Sequence, residues 1–351
     1  MNNVIQKPKR NQSLECIRMI AAMFVVWMHV PFPGDFGNLV NCLARFAVPF
    51  FFAVSGYFSY GIMGGKIKKR FVQILKLNVI AIVFCVCIDC LIAVFNGAML
   101  SEKLLYLIPT VEDLAKWFFL HINPFSGHLW YLTAIAFCYG VLWIYCGFFA
   151  GKEPDYRMFY IAGFFLFLLR FTVADILAFG EVKLPYYLLR DGLYEGLPLF
   201  AMGLFLNQYG QRITENYNLS TGKLLVLFIC GILLSLLQWK GLSIQEMPLG
   251  AVVQVGSLLL LTARHPNLFD STKAGSWLVT QFQFLSTWVY ILHCGVKDVY
   301  ISFFQESFIS VFTTREDWVY PIVVPFVTIG LCYAGKFVVW FVTKIKRMIA
   351  G

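Results

Sequence analysis

Leu14-Glu15-Cys16-Ile17-Arg18-Met19-Ile20-Ala21-Ala22-Met23-Phe24-Val25-Val26-Trp27-Met28-His29-Val30 is the first strongly apolar stretch of the chain, and it is long enough to cross most of a bilayer. Two ionisable residues interrupt it. Arg18 and His29 stand eleven positions apart, which on a helix is three turns plus about 20°, with a rise of about 16 Å. Both side chains therefore fall on one helix face, one near each end of the span. Ionisable residues inside a membrane helix are rare and costly, so a co-facial pair points to function.

The rest of the chain supports a membrane setting. Of its 351 residues 59% are hydrophobic and 13% charged, with a mean hydropathy of +0.72, outside the range of soluble domains. The 36 Phe residues and an aromatic share of 18% suit lipid-facing helices with Trp and Tyr at the interfaces. No polar stretch is long enough for a separate soluble domain, so residues 1–351 read as a single polytopic membrane domain.

A basic N-terminus ahead of an apolar run invites a signal-peptide reading. Arg18 within the run and the lack of a small-residue cleavage site after His29 argue against it. The net charge of +9 is carried by short loops and reads as a topology signal, not as a nucleic-acid surface. Most of the ten cysteines lie in apolar runs and read as small hydrophobes. Cys85-Val86-Cys87-Ile88-Asp89-Cys90 imitates a metal cluster but lacks a second ligand group nearby, so no metal is expected.

The expected fold is an all-α integral membrane protein with about ten transmembrane helices. Apolar windows place them at 14–32, 40–60, 72–96, 128–150, 158–180, 188–208, 223–240, 248–263, 275–295 and 318–342. The stretch 104–120 carries Glu112, Asp113 and Lys116 and reads as an interfacial or re-entrant piece. One set of alternate loops holds sixteen Lys and Arg, from Lys7, Lys9 and Arg10 through the Lys66–Arg70 run to Lys344, Lys346 and Arg347. The other set holds seven, among them Lys103, Lys183 and Arg315. That bias puts both termini in the cytoplasm, Arg18 toward the inside and His29 toward the outside. Arg45 to Gly56 and Arg190 to Gly203 echo one another as Arg, Pro, aromatic and Gly on a span, but the Arg-to-Pro spacings differ, and the echo reads as chance.

His29 precedes Pro31 and Pro33, so its helix ends near it and the imidazole faces a break in regular structure. Imidazole is the usual general base at neutral pH. Arg45 opens the second span with no carboxylate on that helix, and so needs carbonyls or an anionic ligand such as a phosphate or thioester oxygen. A snorkelling Arg is the alternative. Arg190, Asp191 and Glu195 read as a solvated helix end in preference to a polar acceptor groove, and Arg170 as the imperfect partner of Asp175. His121 and His265 read as solvated loop residues, and Trp130 and Trp288 as interfacial anchors ahead of sugar-stacking groups.

Four motifs occur in order over positions 18 to 293: Arg18 with ten residues before His29; Arg45-x-x-Val48-Pro49-x-Phe51-Phe52-x-x-Ser55-Gly56-Tyr57; His128-Leu129-Trp130-Tyr131-Leu132; and Ser286-x-x-x-Tyr290-Ile291-Leu292-His293. Together they resemble the membrane acyltransferase-3 family. The resemblance implies ten or so helices, an acyl-CoA donor used from the cytoplasm, and O-acetylation of a sugar or glycan at the outer face. By motif it implies His29 as catalytic base, Arg18 as a donor-binding or structural residue, and Arg45 as a lining of the active site or donor tunnel. Many members carry two arginines three apart after the second span. Here Arg70 is followed by Gln73, with Lys76 beyond.

Those residues give a working assignment. His29 and Arg45 are catalytic; Arg18, Lys69 and Arg70 hold the phosphates of acetyl-CoA or another acyl-CoA; His128, Trp130, Arg190 and His293 meet the acceptor. The long arm of coenzyme A is comparable to the roughly 16 Å between Arg18 and His29. The expected protein is a multi-pass O-acyltransferase of the bacterial cytoplasmic membrane. Its partners are membrane lipid, acyl-CoA and a glycan or lipid-linked saccharide, with homo-oligomerisation open and no nucleic acid. Direct transfer and a covalent relay both fit, with Ser55 as the relay hydroxyl or, alternatively, a helix-packing residue. The rival readings are a transporter of a small polar substrate such as serine, and an acyl-relay partner of a secreted transferase.

Overall fold

The structure is a computed structural model that describes residues 11–62, 64–149, 152–179, 186–242, 247–267, 272–305 and 318–350. The basic residues Lys7, Lys9 and Arg10, and the loop residues Lys183 and Arg315, lie outside the described residues. Among the described residues the chain is helical, without strands. Its α-helices are α1 (Gln12–His29), α2 (Gly34–Ala44), α3 (Ala47–Tyr57), α4 (Gly64–Phe95), α5 (Leu100–Tyr106), α6 (Val111–Leu120), α7 (Trp130–Gly147), α8 (Arg157–Phe179), α9 (Leu197–Asn216), α10 (Thr221–Leu242), α11 (Leu249–Arg264), α12 (Lys273–Tyr300) and α13 (Tyr320–Ala350).

Among the described residues five stretches are long and apolar enough to cross a membrane: Gly34–Tyr57, Gly64–Phe95, Gly127–Gly147, Thr221–Gly241 and Tyr320–Lys346. The outer faces of α4, α8, α10 and α13 expose Val79, Val83, Phe164, Phe165, Leu233, Leu237, Val338 and Val339. Continuous apolar exteriors of this extent match lipid rather than water.

Local chemistry sets the helix ends. Asn11 caps α1 by accepting a 2.9 Å hydrogen bond from the Leu14 amide, and the helix stops at His29, before Pro31. The expected helix over 40–60 is broken in two at Arg45 and Phe46. Pro49 has no N–H to donate to the carbonyl of Arg45, and it fits instead into the first turn of α3. The window 188–208 also begins irregularly. A turn of wide π-helix at Gly192–Gly196, capped by the Asp191 carboxylate on the Tyr194 amide at 2.6 Å, precedes α9. The polar-marked stretch 104–120 forms α5 and α6, neither with a buried residue. Thr110 and Asp113 make a reciprocal capping box at the start of α6.

The bundle core holds α1, α3, α7, α9, α11 and α12, with Phe50, Phe52, Phe200, Leu129 and Ile135 fully buried. α3 and α9 cross at two glycines. A Cβ on Gly56 would stand 1.9 Å from the carbonyl oxygen of Phe200, and one on Gly203 would stand 1.8 Å from that of Ala53. Small residues here let the two backbones touch.

Candidate active site

Two cavities lie end to end inside the bundle. The first, about 380 Å³, is lined by Glu15 and Arg18 from α1, Ser55 from α3, Arg70 from α4, Tyr139 from α7 and Ser286 from α12. The second, about 350 Å³, is lined by His29, Arg45, His128, Arg190, Cys294 and Lys297, with Glu195 also in its wall. Tyr131 and Tyr290 border both. Their rings meet edge-on with centroids 5.5 Å apart and form a neck between the cavities.

One face of α12 supplies much of this path. Gln283, Ser286, Thr287 and Tyr290 face the first cavity, and Tyr290, Cys294 and Lys297 face the second. Those spacings of three and four define a single helical stripe, about 21 Å long from Gln283 to Lys297. α1 runs the same way, from Arg18 at the first cavity to His29 at the second. The co-facial pair thus occupies the two chambers.

Three imidazoles gather at the second cavity: His29 and His128 line it, and His293 packs behind them. Ring centroids lie 5.1 Å apart for His29 and His293, 5.2 Å for His128 and His293, and 6.2 Å for His29 and His128. His29 is open to the cavity, whereas His128 and His293 are buried. Nδ1 of His293 lies 2.8 Å from the carbonyl oxygen of Tyr290 and 3.1 Å from that of Val289. Carbonyls only accept, so Nδ1 carries the proton and Nε2 presents a lone pair. His128 is held by Ser126 Oγ at 2.8 Å from its Nδ1, while its Nε2 is buried without a hydrogen-bond partner. The Tyr290 hydroxyl donates to the His128 carbonyl and ties the neck to the start of α7.

Charge in the second cavity is mainly positive. Arg45, Arg190 and Lys297 line it, against the single carboxylate of Glu195. Arg170 lies 3.9 Å from Glu195, both of them buried, and donates to the Met247 carbonyl at 3.4 Å. The expected partner Asp175 has its side chain outside the described residues. Asp191 and Glu195 are buried rather than a solvated helix end, because one caps the wide turn and the other meets Arg170. Trp130 is only 9% exposed, and the Arg190 guanidinium covers its ring at 5.2 Å. It is therefore a cavity wall and not an interfacial anchor.

In the first cavity Arg18 donates to Glu15 at 3.1 Å, one turn back. This pairing lowers the cost of the charge, and the three-residue spacing carried its signal. Arg70 Nη1 donates to the Phe58 carbonyl at 2.8 Å and to Ser59 Oγ at 3.1 Å while lining the cavity. Lys69 is exposed on α4 and lines neither cavity; one helical step turns it about 100° away from Arg70. Ser55 faces the first cavity, and its hydroxyl donates to the Phe51 carbonyl at 2.8 Å.

Two further expectations are corrected. His121 is buried beside Phe137, where its Nδ1 accepts from the Gly192 amide at 3.2 Å, and burial pushes its imidazole down to about 4. His265 is half-buried; its Nε2 lies 2.8 Å from the Thr221 hydroxyl, and its carbonyl accepts from Ser13. The two stretches whose echo reads as chance do meet in space. Arg45 and Arg190 line one cavity, and Gly56 and Gly203 share one helix crossing. Cys85 is buried and Cys87 exposed, because two helical steps of about 100° put them on opposite faces. Cys294 was not singled out from the sequence, although it directly follows His293, the last residue of a quoted motif.

Two cavities that meet at Tyr131 and Tyr290, one of them beside an imidazole cluster, lie inside helices with lipid-compatible exteriors, the architecture of a membrane protein with an internal polar site. Residues 11–337 match the acyltransferase-3 family model, described as Acyltransferase domain. The chain belongs to that family and is a membrane acyltransferase. No curated protein and no solved structure gives a match.

Proposed function

We propose that this protein is a multi-pass O-acyltransferase of the bacterial cytoplasmic membrane. It moves an acetyl or other small acyl group from cytoplasmic acyl-CoA to a hydroxyl of an extracytoplasmic glycan or lipid-linked saccharide. The observation that carries the reading is the pair of cavities sharing one neck, guanidinium groups in the first and imidazoles in the second. The loop charges favour about ten spans with both termini inside, so that the Arg18 cavity opens to the cytoplasm and the His29 cavity to the outside.

In this reading Arg18 and Arg70 hold donor phosphates, and the thioester reaches through the neck. His29, open to the cavity, removes the proton of the acceptor hydroxyl. Arg45 stabilises the oxyanion, and coenzyme A leaves inward. Arg190 on Trp130, with His128, walls the acceptor side, and His293 packs behind His128.

The test uses inside-out membrane vesicles with labelled acetyl-CoA and follows label into envelope hydroxyl esters. His29→Ala is expected to lower transfer about 10²–10⁴-fold with normal protein levels. Serine uptake that survives His29→Ala, with no acyl transfer by the wild type, would overturn the reading in favour of transport.

A further inference from the structure

We propose that Cys294 carries the acyl group as a covalent thioester between donor and acceptor, an inference that rests on the acyltransferase reading above. Cys294 lines the second cavity. Its Sγ lies 3.2 Å from Nε2 of His293, the nitrogen left with a lone pair once Nδ1 donates to the Tyr290 carbonyl. A thiol facing the free lone pair of an oriented imidazole is the arrangement that activates a sulfur nucleophile. Ligating atoms of His29, His293 and Cys294 all lie within 4.8 Å of one another, so nucleophile, activating base and acceptor base share one small volume. His128 lines the same cavity, and its buried Nε2 is a second polar group there without a hydrogen-bond partner among the described residues.

Placement on α12 explains why the sulfur and not Ser55 is used. Cys294 follows Tyr290 by four residues, one turn and about 6 Å beyond the neck. A thioester entering past Tyr131 and Tyr290 meets this sulfur as it emerges. Ser55 faces the first cavity, with its hydroxyl committed to the Phe51 carbonyl.

The chemistry balances in two exchanges. The Cys294 sulfur attacks the thioester carbonyl as its proton passes to His293 Nε2; the carbon–sulfur bond to coenzyme A breaks, and the leaving thiolate takes that proton. One thioester replaces another, so the exchange is close to thermoneutral. The acceptor hydroxyl then loses its proton to His29 and attacks the acyl carbon. The Cys294–acyl bond breaks, and the sulfur recovers a proton from the imidazolium. Coenzyme A and the acceptor thus need not occupy the second cavity at the same time.

The test incubates the purified full chain with labelled acetyl-CoA in the absence of acceptor, followed by acid quenching. Wild type is expected to hold label that neutral hydroxylamine releases and that maps to the peptide containing Cys294. His29→Ala, lacking the base for the second step, is expected to hold at least as much label while transferring little. Cys294→Ala is expected to hold none and to lose at least about a hundredfold in transfer. Transfer at the wild-type rate by Cys294→Ala would overturn the relay and leave the acyltransferase reading intact. So would label on another residue, or none, on a wild-type protein that still transfers, a readout independent of whether the variant folds. Absence of transfer by folded wild-type protein sinks both readings.

Discussion

Arg70 combines two tasks that its neighbour Lys69 does not share. Its guanidinium satisfies the Phe58 carbonyl at the end of α3, a group left without a partner by the helix itself, and also borders the Arg18 cavity. Arg70→Ala is expected to lower stability by about 1–2 kcal/mol and to raise KM for acyl-CoA. Lys69→Ala should leave both unchanged, as read by thermal unfolding in detergent and by donor titration. His121 offers a pH signature. Its ordinary value is 6.5, and the folded protein holds it near 4, so the unfolded chain takes up the proton first. The imidazole therefore subtracts stability as pH falls from 6.5 toward 4. Asn tolerates the left-handed backbone at this position (φ 58°) and still accepts a hydrogen bond. His121→Asn is expected to show a shallower loss of Tm across that window.

At the level of elements, the α3–α9 crossing is set by contact between backbones. A methyl group at Gly56 or Gly203 would overlap a carbonyl oxygen that belongs to the facing helix and cannot swing away. Gly56→Ala and Gly203→Ala are each expected to cost about 3 kcal/mol or more and to deplete folded protein in size-exclusion profiles. Gly335→Ala, with nothing within 4 Å of the added carbon, should be neutral. Apolar windows placed α1, α7, α8, α10 and α11 to within a few residues, because a bilayer-length run has one reading in sequence, whereas α4 begins eight residues earlier than its window and α12 and α13 run five and eight residues past theirs. They missed the break at Arg45, where the consequence of Pro49 falls four residues upstream. The link between Arg45 and Arg190 stayed hidden because unequal spacings to proline disguise residues that meet only in three dimensions. His121, Asp191 and Glu195 read as solvated for a related reason: their partners Gly192, Tyr194 and Arg170 become visible only once the wide turn at Gly192–Gly196 has formed. The three histidines were each legible by motif, whereas the thiol beside His293 looked like one more small apolar residue.

Taken as a whole, the molecule is two chambers joined at Tyr131 and Tyr290. Four helices, α1, α3, α7 and α12, line both chambers, and the Tyr290 hydroxyl fastens the neck to the carbonyl of His128. Under the proposed orientation the chambers open to opposite sides of an energised membrane, and that makes the two rings an electrical component. A continuous file of water from Arg18 to the imidazoles would conduct protons, since histidines pass them readily near neutral pH. Vesicles containing Tyr131→Ala are expected to dissipate an imposed pH gradient faster than wild type, followed with a lumenal pH dye, whereas Tyr290→Phe keeps its ring and should hold the gradient. On the proposed function such a protein would be an insulator with a slot, passing an acyl group while holding back the proton current that drives the rest of the cell.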